Sequence, residues 1–190
     1  ALAAIPEALR GRVSAHWREL APPLTGLPPG EWLRTLPRVF AASEFVARSC
    51  AQQPELLSDL IASGDLLRSY PSGELAVRIT TAVAVAADEA ALKTRLRQLR
   101  RREMARIAWR DLAGWADLNE TMATLSEFAD ACVDGALARL HAWAVGKNGE
   151  PRGEHGGKPQ RLVVLGLGKL GGQELNFSSD IDLIFAYPED

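Results

Sequence analysis

The chain is short of cysteine, of long apolar runs and of any net excess of one charge. Its two cysteines, Cys50 and Cys132, lie far apart with no CxxC spacing. That argues against a disulfide framework or a cysteine metal ribbon and makes buried thiols in a reducing cytosol the expectation. The longest uncharged apolar stretch, residues 79–87, is nine residues, well under the roughly 20 that a membrane span needs. No charged segment followed by an apolar core opens the chain. A formal net charge of −2 does not suit a generally basic, nucleic-acid-coating protein. The first residue is not methionine and the last follows closely on a pair of aspartates, so the expectation is a fragment of a longer protein.

What is present is an ordinary soluble composition, 47% hydrophobic and 24% charged, with enough residues to bury a core as one or two domains. Most of it reads as helix. Residues 5–20 place Leu9, Val13, Trp17 and Leu20 along one face, and Pro22, Pro23, Pro28 and Pro29 then force a loop. Helical patterns resume over 32–50, over 54–62 with Pro54 in the first turn and Gly64 as a stop, and from about Glu74 onward. Trp17, Trp32 and Phe45 are expected in helix contacts, and His16 and His141 have no metal-ligand spacing.

Residues 93–110 carry eight basic side chains against one acid, Glu103. Leu92, Leu96, Leu99 and Ile107 mark an apolar face, so the spacing predicts a helix with a basic outside. The next helix, about 117–145, has an apolar seam through Leu118, Met122, Leu125, Ala129, Cys132, Ala136, Leu140 and Trp143. It holds five acids and no Lys or Arg between 117 and 134. Two readings of these helices stay open: charge-matched antiparallel neighbours, or arginines in 100–110 that face a substrate. Residues 146–160, with five glycines and two prolines, read as a flexible linker containing a solvated His155. The division is therefore a helical region over 1–145, a linker over 146–160 and the start of a second domain over 161–190.

The chemistry is expected in that last part. Leu162–Leu165 and Ile181–Phe185 read as buried strands. In a strand, residues two apart share a face, so Asp180 and Asp182 would project together. Two close carboxylates oppose each other's ionisation, and a hard divalent cation is the usual remedy, held by one or two carboxylates with water and phosphate oxygens completing its shell. Between the strands, Gly166, Gly168, Gly171 and Gly172 make a turn whose backbone can approach a phosphate. Lys169 adds a charge, and Ser178 and Ser179 add hydroxyls. The pattern implies metal-assisted phosphoryl or nucleotidyl chemistry. Gly166-Leu-Gly168-Lys-Leu-Gly171 also fits the G-x-G-x-x-G dinucleotide fingerprint. An NAD(P)-binding Rossmann unit, however, needs a helix and a crossover to a parallel strand, and only residues 172–180 are present to make it.

Gly168-Lys-Leu-Gly-Gly-Gln-Glu-Leu-Asn-Phe-Ser-Ser-Asp-Ile-Asp-Leu-Ile-Phe185 resembles the signature of the bacterial glutamine synthetase adenylyltransferase/adenylyl-removing enzymes, which are polymerase-β-like nucleotidyltransferases. Arg101-Arg-Glu-Met-Ala-Arg-Ile-Ala-Trp-Arg-Asp-Leu-Ala-Gly114 resembles a second stretch of that family, and Leu36–Val46 does so more loosely. The resemblance implies a mainly α-helical region followed by the first strands of an α+β nucleotidyltransferase domain, truncated before a third carboxylate. It implies Asp180 and Asp182 as metal-binding and catalytic residues, Mg²⁺ or Mn²⁺ as the cofactor, and Gly168, Lys169, Gly171, Gly172, Ser178 and Ser179 at the nucleotide or phosphate. Lys169 departs from the Gly-Ser usual in the wider superfamily.

The stretch Glu174–Asp182, followed by Ala-Tyr-Pro-Glu, is similar to the family's amino-terminal half. For that half the resemblance implies deadenylylation, in which orthophosphate attacks the AMP-tyrosine bond of adenylylated glutamine synthetase and ADP leaves. It further implies a cytoplasmic enzyme regulated by glutamine and the PII signalling protein, with no nucleic-acid or membrane partner. The alternatives are the family's adenylylating activity, which transfers AMP from ATP, and a non-catalytic helical interaction module.

Overall fold

The computed structural model describes residues 5–21, 29–155 and 157–188. Among the described residues are eight helices, α1 Glu7–Leu20, α2 Glu31–Ala42, α3 Glu44–Gln52, α4 Pro54–Ala62, α5 Glu74–Ala84, α6 Glu89–Ala113, α7 Leu118–Asn148 and the single turn α8 Gly168–Gly171, with strands β1 Val163–Gly166 and β2 Leu183–Ala186. The described residues are mostly helical, with one short antiparallel sheet. The expected proline loop falls at 22–28, outside the described residues, apart from Pro29. None of the described helices is long and apolar enough to cross a membrane.

The chain divides into two compact units, one of residues 1–70 with 100–121 and one of 71–99 with 122–190. Helices α6 and α7 contribute to both, so this division cuts across the sequence-based one at 145 and 160.

In the first unit the stretch expected as one helix over 32–50 is two. Ser43 is extended, and its hydroxyl accepts the Val46 N–H at 3.2 Å, capping α3. A serine cap satisfies a backbone donor that the first turn otherwise leaves unpaired. Val13, Leu20, Trp32, Val39, Phe40, Val46, Leu57 and Leu60 form the core, with Trp109 of α6 set among them. Each such fully buried apolar side chain contributes about 1.5–3 kcal/mol. Trp109 meets Phe40 edge to face at 5.9 Å, and its indole N–H donates to Thr35 Oγ1 at 3.0 Å. Phe45, expected in a helix contact, is largely exposed, because the buried face of α3 is taken by Val46, Ala47 and Cys50. His16 is half-buried, 3.3 Å from Glu44.

The basic outside expected of 93–110 holds only for its first part. Lys93, Arg95, Arg97, Arg100 and Arg101 are exposed, whereas Arg106 and Arg110 are buried and Arg102 is mostly so. Arg102 pairs with Asp59 and Asp65 at 2.8 and 2.7 Å and also binds Glu103. Arg106 donates to the carbonyls of Asp65 and Arg68 and stacks on Tyr70. Arg110 pairs with Glu120 at 2.9 Å. These three arginines therefore tie down the 65–70 turn and the start of α7, so their role is structural.

Cys50 is buried and Cys132 half-buried, and neither is in a disulfide. Burial pushes the Cys50 thiol up to about 12. Only the thiolate reacts, which leaves about 10⁻⁴ of the group available at pH 8. Cys50 should therefore resist a thiol reagent in the folded protein and label within minutes in denaturant. Mass spectrometry of the labelled peptides checks this, and rapid native labelling of Cys50 would count against the packing described.

In the second unit, α5 crosses α7 so closely that a Cβ added at Gly135 would lie 2.8 Å from a Val83 methyl. Val83, Ala86 and Leu92 form a small core with Leu96, Leu99 and Trp143 packed on it. Arg139 donates to the Ala86 carbonyl and lies over the Trp143 ring. The α7 seam differs from expectation at its ends. Leu118 and Leu140 are exposed, while Leu125, Phe128, Ala131 and Gly135 are buried. A helix this long meets different neighbours along its length, so no single stripe is covered throughout.

Helix α7 continues to Asn148, three residues into the segment read as linker. Beyond it, Arg152 and Pro159 form an isolated antiparallel bridge, and the Gly153 and Gln160 N–H groups donate to Lys158 and Pro151. The segment thus holds a small closed turn.

Candidate functional site

Strand β1 forms where valine and leucine are bounded by the glycine cluster. It pairs antiparallel with β2, with Val163 opposite Ala186, Val164 opposite Phe185, Leu165 opposite Ile184 and Gly166 opposite Leu183. Strand β2 therefore starts two residues later than expected, and Asp180 and Asp182 precede it. The reason is local. The Leu167 N–H still donates to the Asp182 carbonyl at 2.9 Å, but β1 then leaves for the glycine turn, so residues 180 and 181 have no strand to pair with. The turn and both carboxylates thus emerge from the same end of one hairpin.

The turn is tightly closed. Gly168 has φ of +55°, a conformation that costs a residue with a Cβ far more than glycine. The N–H groups of Gly171, Gly172, Gln173 and Glu174 donate to the carbonyls of Leu167, Gly168, Leu170 and Lys169. The amides of Gly171 and Gly172, expected at a phosphate, are thus already used inside the turn. Lys169 is exposed and Leu170 is buried beneath it.

Gly171 is required for another reason, since a Cβ there would lie 2.5 Å from the Gly166 carbonyl oxygen. Backbone cannot yield as a flexible side chain can. Gly171→Ala should therefore displace the turn from β1 and lower the activity proposed below by about 100-fold, the scale seen when positioning is lost by about 1 Å. Steady-state kinetics of the intact protein check this, and a change under threefold would contradict it.

The loop to the carboxylates is ordered by Asn176, which lies within the sequence motif. Its Oδ1 accepts the Ser179 hydroxyl at 2.8 Å and the Ser178 N–H at 3.2 Å, and the Ser178 hydroxyl lies at 3.5 Å. Ser178 and Ser179, expected to donate to phosphate, both turn toward Asn176 here. An asparagine whose side chain accepts the N–H two residues on, here Ser178, is a recognisable side-chain turn, so this signal is legible in the sequence. Helix α7 supplies further contacts that sequence spacing did not show. Ser126 Oγ accepts the Leu175 N–H at 3.2 Å, and the Gln173 amide donates to Asp130 at 3.0 Å.

Asp180 and Asp182 are both exposed. No group of three metal-ligating side chains occurs among the described residues. Two hard oxygen donors, two residues apart and open to solvent, suit Mg²⁺, which typically takes one or two carboxylates and keeps several waters. The donor set contains no nitrogen or sulfur ligand of the kind zinc prefers. The dinucleotide alternative does not survive, because β1 and β2 are antiparallel and the helix between them is a single turn, whereas a Rossmann unit needs a long helix and a parallel strand.

Fold and site together define a class, a mainly helical protein whose final hairpin presents a closed glycine turn and an Asp-x-Asp pair at one end. Within that class the chain belongs to the glutamate-ammonia ligase adenylyltransferase family, whose model matches residues 33–190. Its relatives named as bifunctional glutamine synthetase adenylyltransferase/adenylyl-removing enzymes include one from Thioalkalivibrio sulfidiphilus, 53% identical over 85% of this chain and 17% of the relative. A second, from Nitrosococcus oceani, is 52% identical over 83% of this chain and 16% of the relative. A third, from Shewanella loihica, is 38% identical over 98% of this chain and 20% of the relative. The chain thus spans about a sixth to a fifth of the length of these relatives.

Proposed function

We propose that this chain carries the start of the adenylyl-removing site of a glutamine synthetase modifying enzyme, within a polymerase-β-like nucleotidyltransferase domain. An oxygen of orthophosphate attacks the phosphorus of the AMP-tyrosine ester. The new P–O–P bond makes ADP, the bond to the tyrosine oxygen breaks, and that oxygen takes a proton. The observation that carries the reading is the hairpin register, which brings the glycine turn and the Asp180/Asp182 pair to one end. The likeness of residues 174–182 to the family's amino-terminal half favours removal over transfer.

In this reading Asp180 and Asp182 hold Mg²⁺ or Mn²⁺, which when bound supplies charge stabilisation to phosphate oxygens. Asn176 fixes the loop that presents the two carboxylates, and Gly168 and Gly171 set the turn beside them. Lys169, exposed on that turn, offers a cation to an incoming phosphate. The same reading assigns ADP and orthophosphate as ligands and glutamine and the PII protein as regulators. It places the enzyme in the cytoplasm, which accords with a buried Cys50 thiol.

The test incubates the intact protein with adenylylated glutamine synthetase, Mg²⁺ and orthophosphate and follows ADP. Phosphate-dependent ADP supports the reading. AMP transfer from ATP onto unmodified synthetase, without ADP release, would reassign the site to the adenylylating activity. Neither reaction would leave a helical interaction module as the better account.

A further inference from the structure

Gln173 is the one described residue other than glycine with positive φ, at 57°. It directly follows the glycine turn. Left-handed backbone is unfavourable for a side chain with a Cβ, and such residues persist where surrounding contacts hold them. The Gln173 amide donates to Asp130 Oδ2 at 3.0 Å and to the Leu170 carbonyl at 3.3 Å. Two residues on, the Leu175 N–H donates to Ser126 Oγ at 3.2 Å, and Leu175 is buried. Ser126 is itself buried and donates to the Met122 carbonyl at 2.9 Å, so its hydroxyl proton is committed and an oxygen lone pair faces the loop. Ser126 and Asp130 are four residues apart, one helical turn, and lie on the same side of α7.

We infer that α7 is the template of the carboxylate loop: Ser126 and Asp130 grip it at Leu175 and Gln173, and all three side chains, Ser126, Asp130 and Gln173, are positioning residues for the Asp180/Asp182 pair. Strand pairing fixes only the far end of the loop, through Leu167 and Asp182. Asn176 orders the middle from within. Without the α7 grip the segment between Glu174 and Asp182 would be held only by the glycine turn before it, the Leu167 pairing after it and Asn176 within it. The inference rests on the metal-binding reading of Asp180 and Asp182, and it goes beyond that reading by assigning part of the site's geometry to a helix whose residues touch no reacting atom.

The test uses the intact protein and two readouts besides turnover. Amide hydrogen exchange over residues 173–180 is measured without metal, and Mn²⁺ binding is followed by electron paramagnetic resonance. Asp130→Ala should speed exchange and weaken Mn²⁺ by about three- to tenfold each, the range for loss of one hydrogen bond. Its melting temperature should stay within about 1 °C, as expected for an exposed side chain. Asp130→Asn keeps an acceptor oxygen and should restore both values. Gln173→Gly removes the positive-φ cost and should hold or raise the melting temperature while still weakening Mn²⁺.

Unchanged exchange and Mn²⁺ affinity in Asp130→Ala would overturn the inference. So would losses that track melting temperature and are not restored by asparagine, since those would mark ordinary packing. Asp180→Asn separates the two levels. If it leaves Mn²⁺ binding intact, the carboxylate reading fails, and the exchange data alone decide the template role.

Discussion

Asp180→Asn in the intact protein is expected to lower phosphate-dependent ADP release by on the order of 10³-fold, with the melting temperature unchanged. Both parts follow from the site. The side chain is exposed, and asparagine has nearly the same shape, so neither packing nor the ladder beside it is disturbed. What is lost is a negative oxygen. A neutral amide oxygen is a much poorer ligand for a hard divalent cation, and charge stabilisation by such an ion contributes several kcal/mol to phosphoryl transfer, which is on the order of 10³ in rate.

Asp182→Asn should behave similarly. The double variant should be little worse than either single one, because residues acting as a unit are not additive. Chelating the metal should reproduce the loss in the wild type and add little to the variants. Retention of more than a tenth of the activity in Asp180→Asn would rule out the proposed role.

Arg106→Met is expected to destabilise the first unit by about 3–5 kcal/mol, the usual cost of removing one partner from a buried charge network. Arg106 is 1% exposed. It donates to the carbonyls of Asp65 and Arg68 at 2.8 and 2.6 Å, sits 3.5 Å over the Tyr70 ring and lies 3.8 Å from Glu103. Methionine fills the volume but leaves both carbonyls without this donor and Glu103 with one cation fewer. By contrast, Arg97→Met, on the exposed part of the same helix, should cost less than about 0.5 kcal/mol. Urea unfolding followed by tryptophan fluorescence compares the two, since Trp109 is buried next to the network.

The deficit of Arg106→Met should also depend on pH. Burial holds the Glu103 carboxyl above its ordinary value of 4.5, against the charges of Arg102 and Arg106 that pull it down. A group whose folded value is raised stabilises the fold below its unfolded value, and that contribution is lost as pH rises through the folded one. Removing Arg106 removes a counter-charge and raises Glu103 further. The destabilisation should therefore be larger at pH 7 than near pH 4, where Glu103 takes a proton. A deficit independent of pH would mean that the lost carbonyl bonds alone account for it.

Much of the fold was legible in the residues. The helix over 54–62 begins at Pro54 because proline suits a first turn, and its end is followed by Gly64 with φ of +74°. The first helix has the buried face its leucine and valine spacing demanded. Less legible was the split at Ser43, since nothing in local periodicity separates a serine inside a helix from one that caps the next. The arginines were the largest misreading. Spacing placed them on the outside of α6, yet Asp59 and Asp65, some 40 positions earlier in the chain, draw Arg102 inward, and the carbonyls of Asp65 and Arg68 do the same for Arg106.

At the site, the residue types and their order were set by the sequence alone. Strand, glycine turn and Asp-x-Asp are local features governed by backbone freedom, branching and charge, and those act between near neighbours. Only the tertiary structure decided where strand pairing stops and that α7 holds the loop through Ser126 and Asp130. The α7 contacts join residues more than 40 apart, which no period or spacing encodes, because such contacts exist only once the chain has folded back on itself.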